Sequence, residues 1–467
     1  MNPVIEQVTN KIIERSKKPR GEYLAKIERA RLKGPHRGVL SCGNLAHGFA
    51  ACNTQEKADL TALTKANVGI ISSYNDMLSA HQPYEEYPAL IKKAVDEVGS
   101  VAQFAGGVPA MCDGVTQGQP GMDLSLMSRD VIAMGAAIGL SHNMFDSGIM
   151  LGICDKIVPG LVMSALTFGH LPFVFIPAGP MESGIPNKEK ARVRQLYAQG
   201  KVGRDELLKS ESASYHSAGT CTFYGTANSN QLVVEVMGLH LPGSSFVNPG
   251  TELRDALTNA ASVQATRITD LGTDYRPVGH IVDEKSVVNG IVALLATGGS
   301  TNHTMHLVAM ARAAGIIVNW DDFDAISSVT PLIARIYPNG QADINHFQAA
   351  GGMAYLFKQL LAGGLLHNDV KTICGDGLEL YTKEPKIIDG KLTWVDSPDE
   401  SLDKDVLATV DNPFKPDGGC KVLEGNLGRA VIKTSSLREG KTVVKAPAVV
   451  FESQHDIDAA FQAGELD

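Results

Sequence analysis

The feature that most constrains the fold is a repeated unit of a short apolar run, a polar glycine-containing loop and a helical stretch. The apolar runs that we predict to be strands are residues 67–73, 101–105, 145–153 and 171–176. Helical spacing of apolar residues follows at residues 84–98 and 122–140. This alternation is typical of an α/β domain, with a largely parallel sheet flanked by helices. Functional loops are then expected at the carboxyl ends of the strands.

Composition and charge exclude several classes of protein. The chain has 467 residues, of which 44% are hydrophobic and 20% charged, as in ordinary soluble proteins. A net charge of −9 gives no electrostatic case for binding nucleic acid or an anionic membrane. Residues 1–23 lack the apolar segment of a secretory signal, and the longest apolar run, residues 160–179, is broken by His170 and two prolines. We therefore predict a cytoplasmic protein without nucleic-acid or membrane partners.

The pattern along the chain predicts three segments. Residues 1–60 form helices that pack on the body or on a partner, and their polar character favours a homodimer. Residues 61–385 form the α/β domain that carries the candidate site. Residues 386–467 begin a β-rich, barrel-like domain, with strand-like runs at residues 387–397, 411–419 and 443–452 and a final amphipathic helix. A β unit of only about 70 residues would be marginal alone, so we predict that it is incomplete.

Thiols and charged side chains occur together in three loops. Cys154, Asp155 and Lys156 are consecutive in an apolar stretch, where unpaired charges would cost several kcal/mol. Cys112 and Asp113 lie at a predicted strand-to-helix junction, and another cysteine, residue 221, precedes a helix. In a parallel sheet all three loops can meet at one edge. Thiolates suit iron–sulfur centres and carboxylates suit Mg²⁺ or Mn²⁺.

The simpler interpretation is a strand-end turn, with Asp155 and Lys156 reaching solvent beside an inert cysteine. The cysteine count does not decide between the two. Seven cysteines without clustered spacing argue against a disulfide framework, a standard zinc site or a ferredoxin-type run. Any metal ligands must therefore be scattered along the chain and brought together by folding.

Motifs from about residue 65 to the end resemble, in order, the dihydroxy-acid/6-phosphogluconate dehydratase family. They are Asp113-Gly114 with Gly118 and Gly121-Met122, Cys154-Asp155-Lys156 with Pro159, Thr226-Ala227-Asn228 after Cys221, Gly298-Gly299-Ser300-Thr301-Asn302, Ala350-Gly351-Gly352 and Gly425-Asn426-Leu427. Residues 111–118 and 219–225 look like the 6-phosphogluconate dehydratase branch. The resemblance implies a hydro-lyase that converts 6-phospho-D-gluconate, a phosphorylated sugar acid, to 2-dehydro-3-deoxy-6-phospho-D-gluconate in the Entner–Doudoroff pathway.

The resemblance also implies an iron–sulfur cluster as a Lewis acid, with Cys154 and Cys221 as ligands. Where the branched-chain dehydratases carry a third ligand cysteine, this chain has Ala80. Cys112 is then the first candidate for the third ligand, and a non-cysteine ligand is the alternative. Two or three scattered cysteines fit either a [2Fe–2S] or a [4Fe–4S] cluster, and we favour the [4Fe–4S] form.

The same resemblance implies a second metal centre. Asp113 and Asp155 match carboxylates that bind a divalent cation, Mg²⁺ or Mn²⁺, and Lys156 matches a lysine that is carbamylated in some relatives. These three residues are the predicted catalytic groups. A free ammonium on Lys156 would oppose cation binding, whereas a carbamate would add an oxygen ligand.

Candidate substrate contacts lie in other polar loops. Ser300, Thr301 and Asn302 precede a helix whose N-terminus can bind a phosphate group, or they simply cap that helix. His81 lies in the polar loop after the first predicted strand. A basic run is more typical of a solvated helix face than of a binding site, and it comprises Lys188, Lys190, Arg192 and Arg194.

The family pattern continues beyond residue 467, with a metal-binding glutamate and a serine usually assigned as the catalytic base. The resemblance therefore predicts a C-terminally truncated form that lacks both groups. Within the same family, the alternative is a dehydratase of another sugar acid or of branched-chain 2,3-dihydroxy acids. From another class, the alternative is a non-catalytic binding or scaffold protein built on a truncated dehydratase fold.

Overall fold

Four parallel strands form the central sheet in this computed structural model, which describes residues 1–437 and 442–466. The strands are β1 (Asn67–Ser72), β2 (Val101–Gly107), β3 (Ser147–Leu151) and β4 (Phe173–Ile176). Their order in the sheet is β2-β1-β3-β4. Every residue of β1, β3 and β4 is buried, as expected for strands covered by helices on both faces. The predicted α/β class with a largely parallel sheet is confirmed.

Helices make up most of the remaining structure. They are α1 (Pro3–Arg31), α2 (Cys42–Phe49), α3 (Thr54–Ala62), α4 (Tyr87–Glu97), α5 (Asp113–Thr116), α6 (Ser125–Leu140), α7 (Ile157–Thr167), α8 (Asn187–Ala198), α9 (Arg204–Ser214), α10 (Thr226–Val236), α11 (Glu252–Arg267), α12 (Val278–Ile281), α13 (Glu284–Ala296), α14 (His303–Ala313), α15 (Trp320–Ser327), α16 (Ile344–Ala349), α17 (Gly352–Ala362) and α18 (Gln454–Gln462). No helix within the described ranges is long and apolar enough to cross a membrane.

The N-terminal helix α1 packs on the α/β body of its own chain. Its 29 residues bury an apolar stripe that includes Ile5, Val8 and Ile12, at helical spacing. Farther along, the buried Arg20 donates hydrogen bonds to the backbone oxygens of Ala314, Gly279 and Val282 at 2.8–3.0 Å. These bonds satisfy the buried guanidinium without a carboxylate, and they tie α1 to helix α12 and to the end of α14.

The start of α7 is set by a close crossing with α6. At Gly160 a Cβ atom would lie 2.6 Å from the backbone oxygen of Arg129, so only glycine allows the two helices to approach this closely. Helix α7 begins at Ile157, directly after Lys156. The crossing therefore fixes the Lys156 backbone against α6.

The C-terminal part of the main unit, residues 1–435, carries small antiparallel hairpins. Their strands are β5 (Lys371–Thr372), β6 (Gly375–Asp376), β7 (Lys383–Ile388), β8 (Lys391–Asp396), β9 (Cys420–Gly425) and β10 (Gly428–Lys433), paired as β5–β6, β7–β8 and β9–β10. The predicted β-rich character of this region is confirmed. The domain limits proposed near residues 60 and 385 stay predictions.

Two of the strand predictions in this region are wrong. Residues 411–419 contain no strand; an isolated bridge between Lys415 and Leu332 and a backbone hydrogen bond from Gly418 to Ser327 hold them. Residues 443–452 belong to the small unit, residues 436–467, and form no strand either. Their valines are exposed, 84% at Val443 and 84% at Val450, and no partner strand exists within described residues 442–466. A β-branched run does not form a strand without a neighbour to pair with.

Candidate functional site

Three cysteine loops meet at the carboxyl edge of the central sheet. Cys112 follows β2 as the residue before α5, and Cys154 follows β3. The loop of Cys221 extends β4, because the backbone of Met181 donates to the oxygen of Thr220 at 2.9 Å. The thiols of Cys112 and Cys154 are within hydrogen-bonding reach, and Cys221 interacts electrostatically with Cys112. The structure thus brings the three predicted cluster ligands together.

The three thiols differ in acidity because their surroundings differ. A hydrogen bond from Cys154 lowers the pKa of Cys112 to about 6, despite partial burial. Donating that bond, together with burial, raises the pKa of Cys154 well above its usual value. Burial raises the pKa of Cys221 to about 12. Without a metal, one thiolate can therefore form at neutral pH, and further negative charge requires a cation.

Cys154 is held in an unusual backbone conformation. Its φ of +75° lies in the left-handed region, which costs a non-glycine residue roughly 1–3 kcal/mol and is common at functional sites. The side-chain amide of Asn230, on α10, donates to the backbone oxygens of Cys154 at 3.1 Å and Asp155 at 2.9 Å. Asn228, two residues earlier, donates to the oxygen of Cys221 at 2.8 Å. Helix α10 therefore braces two of the three cysteine loops.

Replacing Asn230 by alanine should destabilise the protein by about 1–3 kcal/mol, because two buried carbonyl oxygens lose their donor. Chemical unfolding compared with the parent protein gives this measurement. Asn10→Ala, at an exposed position of α1, is the matched control and should have little effect. An Asn230→Ala protein as stable as the control would show that α10 does not brace the Cys154 loop.

The carboxylates of Asp113 and Asp155 share one ammonium group. Lys156 is 4% exposed and its Nζ pairs with Oδ2 of Asp113. The same Nζ lies 3.6 Å from Oδ2 of Asp155. Ser125, at the start of α6, donates to the other oxygen of Asp113 at 2.7 Å. The three predicted catalytic residues thus form one network beside the thiols, with a buried lysine between two half-buried carboxylates.

Burial and nearby charges shift the pKa values of the two carboxyl groups in opposite directions. Burial, with the nearby Asp113 charge, raises the pKa of Asp155 to about 6 even though Lys156 opposes the shift. Burial also acts to raise the pKa of Asp113, but hydrogen bonds from Lys156 and Ser125 outweigh it and hold that pKa below its usual value. Two adjacent carboxylates are stable as anions only with positive charge between them.

The thiols of the site fit an iron–sulfur cluster, and its carboxylates fit a divalent cation under one condition, which concerns Lys156. Over residues 1–437 and 442–466, no group of three or more His, Cys, Asp or Glu side chains is arranged to ligate a single metal ion. Thiols that hold a cluster surround a body of several atoms, so they need not meet at one point. Between the carboxylates, the ammonium of Lys156 lies where a cation would bind. The carboxylates therefore suit a cation only when Lys156 has lost its positive charge.

Unpartnered polar atoms surround this edge of the sheet. Buried polar groups are nearly always hydrogen-bonded, so a buried polar atom without a protein partner indicates a place where water or a ligand binds. In the described part of the chain, the buried atoms near the site that have no partner include His81 Nε2, Thr220 Oγ1, Asn230 Oδ1, Gln231 Oε1, His303 Nδ1 and both ring nitrogens of His306. They come from the loop after β1, the Cys221 loop and helices α10 and α14.

His81 lies next to the Cys221 loop and is fully buried. Its Nδ1 bonds with the hydroxyl of Ser73 at 2.9 Å, and burial lowers its pKa to about 4, so the ring is neutral. The adjacent Ser79 accepts a hydrogen bond from the backbone of Gly219 at 2.7 Å. The position of Ala80 is thus close to the Cys221 loop, but alanine offers no ligand there.

The Ser300–Asn302 loop connects to the site through the first residue of α10. The hydroxyls of Ser300 and Thr226 are 2.7 Å apart, and the side-chain amide of Asn302 donates to Thr226 at 3.0 Å. Asn302 precedes α14 but makes no side-chain cap. A cavity of about 20 Å³ beneath the loop, next to Thr301, holds at most one water molecule. Whether this loop contacts substrate stays a prediction.

One residue near the site was missed by sequence reasoning. His306, on α14, is 1% exposed, and Lys156, Asp113 and Arg129 lie in its electrostatic range. Burial lowers the pKa of His306 to about 4, so it is a neutral ring beside a charged network. In the sequence, the signal for His306 is its position three residues after His303, which places both rings on the same face of the helix.

Comparisons with known proteins agree with this geometry. The model of the dihydroxy-acid/6-phosphogluconate dehydratase N-terminal domain matches residues 65–381, and that of the C-terminal domain matches residues 405–467. A phosphogluconate dehydratase of Escherichia coli (strain K12) is 65% identical over all 467 residues, which span 77% of its length. That of Zymomonas mobilis is 58% identical over the same length and share. A dihydroxy-acid dehydratase of Ignicoccus hospitalis is 32% identical over 87% of this chain and 71% of its own length. The chain belongs to the dihydroxy-acid/6-phosphogluconate dehydratase family.

Proposed function

We propose that the protein is a hydro-lyase that dehydrates 6-phospho-D-gluconate to 2-dehydro-3-deoxy-6-phospho-D-gluconate, the Entner–Doudoroff dehydratase step. The observation that carries the proposal is the convergence of Cys112, Cys154 and Cys221 beside the Asp113–Lys156–Asp155 network. The substrate follows from the relatives named phosphogluconate dehydratase, at 58–65% identity in the two cited.

The reaction removes a weakly acidic proton from C2 and expels hydroxide from C3. Hydroxide is a poor leaving group, since the pKa of water is about 15.7, so a Lewis acid on the C3 oxygen is required. An iron–sulfur cluster, held by Cys112, Cys154 and Cys221, supplies that Lewis acid when bound. Three cysteines would hold a [4Fe–4S] cluster with fewer than four thiolate ligands, which supports the [4Fe–4S] assignment.

The carboxylates of Asp113 and Asp155 hold a divalent cation, Mg²⁺ or Mn²⁺, in this proposal. A cation held there would bind the carboxylate of the substrate and offset the negative charge that develops as the C2 proton leaves. The pairing of Asp113 and Asp155 with Lys156 supports a modification of that lysine, because its ammonium competes with the cation for both carboxylates. A carbamate on Lys156 removes the positive charge and adds an oxygen ligand.

Substrate contacts are assigned to the loops around this centre. Ser300, Thr301 and Asn302 offer hydroxyl and amide groups to the sugar acid, and His81 offers its unpartnered Nε2. Because burial keeps the ring of His81 neutral, it can donate or accept one hydrogen bond without charge.

A substrate comparison tests the function. The protein at its native length, reconstituted anaerobically with iron and sulfide, is assayed for 2-keto acid formation from 6-phosphogluconate, gluconate and 2,3-dihydroxyisovalerate. We expect kcat/KM for 6-phosphogluconate to exceed the other two by ~10²-fold or more, since sites that bind a polar group discriminate strongly against its absence. Iron-free protein is the control. Equal or faster turnover of 2,3-dihydroxyisovalerate would assign the chain to the other branch of the family.

The homodimer also stays a prediction. Helix α6 exposes a stripe of apolar side chains at a four-three-four spacing, comprising Met127, Val131, Met134 and Ile138. A contiguous stripe of this kind is typical of an interaction surface. Light scattering of the purified protein measures the mass directly: twice the chain mass of 49.7 kDa is expected, and the chain mass itself would contradict the dimer.

A further inference from the structure

The four cations of the basic run on α8 have different environments. Arg192 pairs with Glu189 on its own helix at 2.6 Å. Arg194 pairs with Glu211, on α9, through two hydrogen bonds of 2.5 and 2.8 Å. The other two cations are lysines, of which Lys188 is exposed and Lys190 is only 6% exposed. The run is therefore a solvated helix face with one exception, at Lys190.

The side chain of Lys190 is largely buried, but its ammonium reaches solvent and forms no ion pair within the described residues. It lies over the ring of Tyr215, 4.9 Å from the centroid, and forms no ion pair. Two carboxylates are in its electrostatic range, Glu211 and Asp343. Glu211 is bound on both oxygens by Arg194, and Asp343 accepts the backbone N–H groups at the start of α16. Neither carboxylate is free to neutralise Lys190.

The contacts of Lys190 do not fully compensate for the partial burial of its positive charge. A cation over an aromatic ring gains about 0.5–2 kcal/mol. Even partial removal of an ammonium from water is unfavourable, and charges inside proteins are normally paired. Consistent with this, burial lowers the pKa of Lys190. A half-buried ammonium without an ion pair, whose tip reaches solvent, is suited to bind an anion from outside the protein.

The position of Lys190 identifies the anion. Helix α8 follows the loop after β4, so it begins at the same sheet edge as the cysteine loops. Cys221 is in electrostatic range of both Asp155 and Lys190. The Asp113–Asp155 centre serves the carboxylate of the substrate, which leaves the phosphate at the other end of the molecule without a cation. Lys190 is a cation near the thiols that forms no ion pair with any described residue.

We propose that Lys190 binds the phosphate group of the sugar acid and thereby selects phosphorylated over unphosphorylated substrates. This proposal rests on the proposed function and adds the residue responsible for substrate choice. Tyr215, across whose ring the lysine lies, holds the ammonium in one place, where it can form a charge-assisted hydrogen bond with a phosphate.

The test compares Lys190→Met with Lys188→Met, a lysine of the same helix that is exposed. The measured quantity is the ratio of kcat/KM for 6-phosphogluconate to that for gluconate, which does not depend on the fraction of active protein. Lys190→Met should lower this ratio ~10–100-fold, mainly through KM, as expected for loss of a charge-assisted hydrogen bond. Lys188→Met should leave the ratio unchanged, and Lys190→Arg should restore most of it.

An unchanged ratio in Lys190→Met, or equal losses for both substrates, would overturn the proposal. Titration calorimetry with 6-phosphogluconate and with inorganic phosphate gives a second readout that needs no turnover. Weaker binding of both probes by Lys190→Met than by Lys188→Met would support the role of Lys190 even if the dehydratase function proved wrong. Equal binding in the two variants would refute the role of Lys190 even if the dehydratase function stood.

Discussion

Replacing Cys154 by serine is expected to abolish both the visible absorbance of the reconstituted protein and its dehydratase activity. Cys154 is buried beside the other two thiols, in a backbone turn that Asn230 holds, so its sulfur is in position to bind the cluster. Serine is similar in size, but its hydroxyl does not provide the thiolate that iron–sulfur clusters bind. The absorption spectrum and the iron and sulfide content per chain measure the effect.

Two further variants make this result specific. Cys420→Ser replaces a buried free cysteine outside the site and should keep the spectrum and the activity. Cys112→Ser tests the third ligand. This variant should also lose the cluster, because the side chain of Ala80 has no atom that could replace the thiolate. An intact spectrum in Cys154→Ser would refute the ligand assignment, and an intact spectrum only in Cys112→Ser would indicate a non-cysteine third ligand.

Replacing Asp155 by asparagine should lower kcat/KM at least ~10²–10³-fold while leaving the visible spectrum unchanged. Asparagine keeps the shape of the side chain but removes the charge that holds the divalent cation. The cluster should survive because its ligands are the neighbouring thiols. Steady-state kinetics over a range of Mg²⁺ concentrations, with the spectrum recorded for the same samples, separates the two centres.

The matched control for this variant is Asp130→Asn. Asp130 lies on α6 and pairs with Arg129 at 3.3 Å, but its side chain is 55% exposed. Its loss should change kcat/KM by less than about threefold, as is usual for surface ion pairs. Two results would show that Asp155 is not a ligand of a separate cation. One is a change in kcat/KM for Asp155→Asn as small as that for Asp130→Asn, and the other is loss of the visible absorbance in Asp155→Asn.

The sheet and the cysteine loops could be predicted from local sequence. All four strands are apolar runs bounded by turn residues, and the parallel arrangement follows from the helices between them. Parallel strands bring their carboxyl ends to one edge, which is why Cys112 and Cys154 meet although 42 positions separate their numbers. Cys221 does not follow a strand of the sheet. It is brought to this edge by a parallel backbone bridge between residues 180 and 220, which extends β4.

Other features depend on contacts that no local pattern records. Lys190 and Lys188 look alike in sequence, yet one is buried and the other exposed because α9 and Tyr215 cover only one side of α8. His306 becomes notable only because α14 packs on α7, which starts next to Lys156. The valines of residues 443–452 satisfy the strand pattern, but pairing needs a neighbouring strand, and local sequence does not say whether one exists.

The central claim is that Cys112, Cys154 and Cys221 together hold one iron–sulfur cluster. Anomalous X-ray diffraction at the iron absorption edge, from crystals of the anaerobically reconstituted protein, locates the iron atoms directly. The account predicts one compact group of iron atoms with all three sulfurs bonded to it. Iron bonded to only two of these cysteines, or located near Cys374 or Cys420 instead, would contradict it.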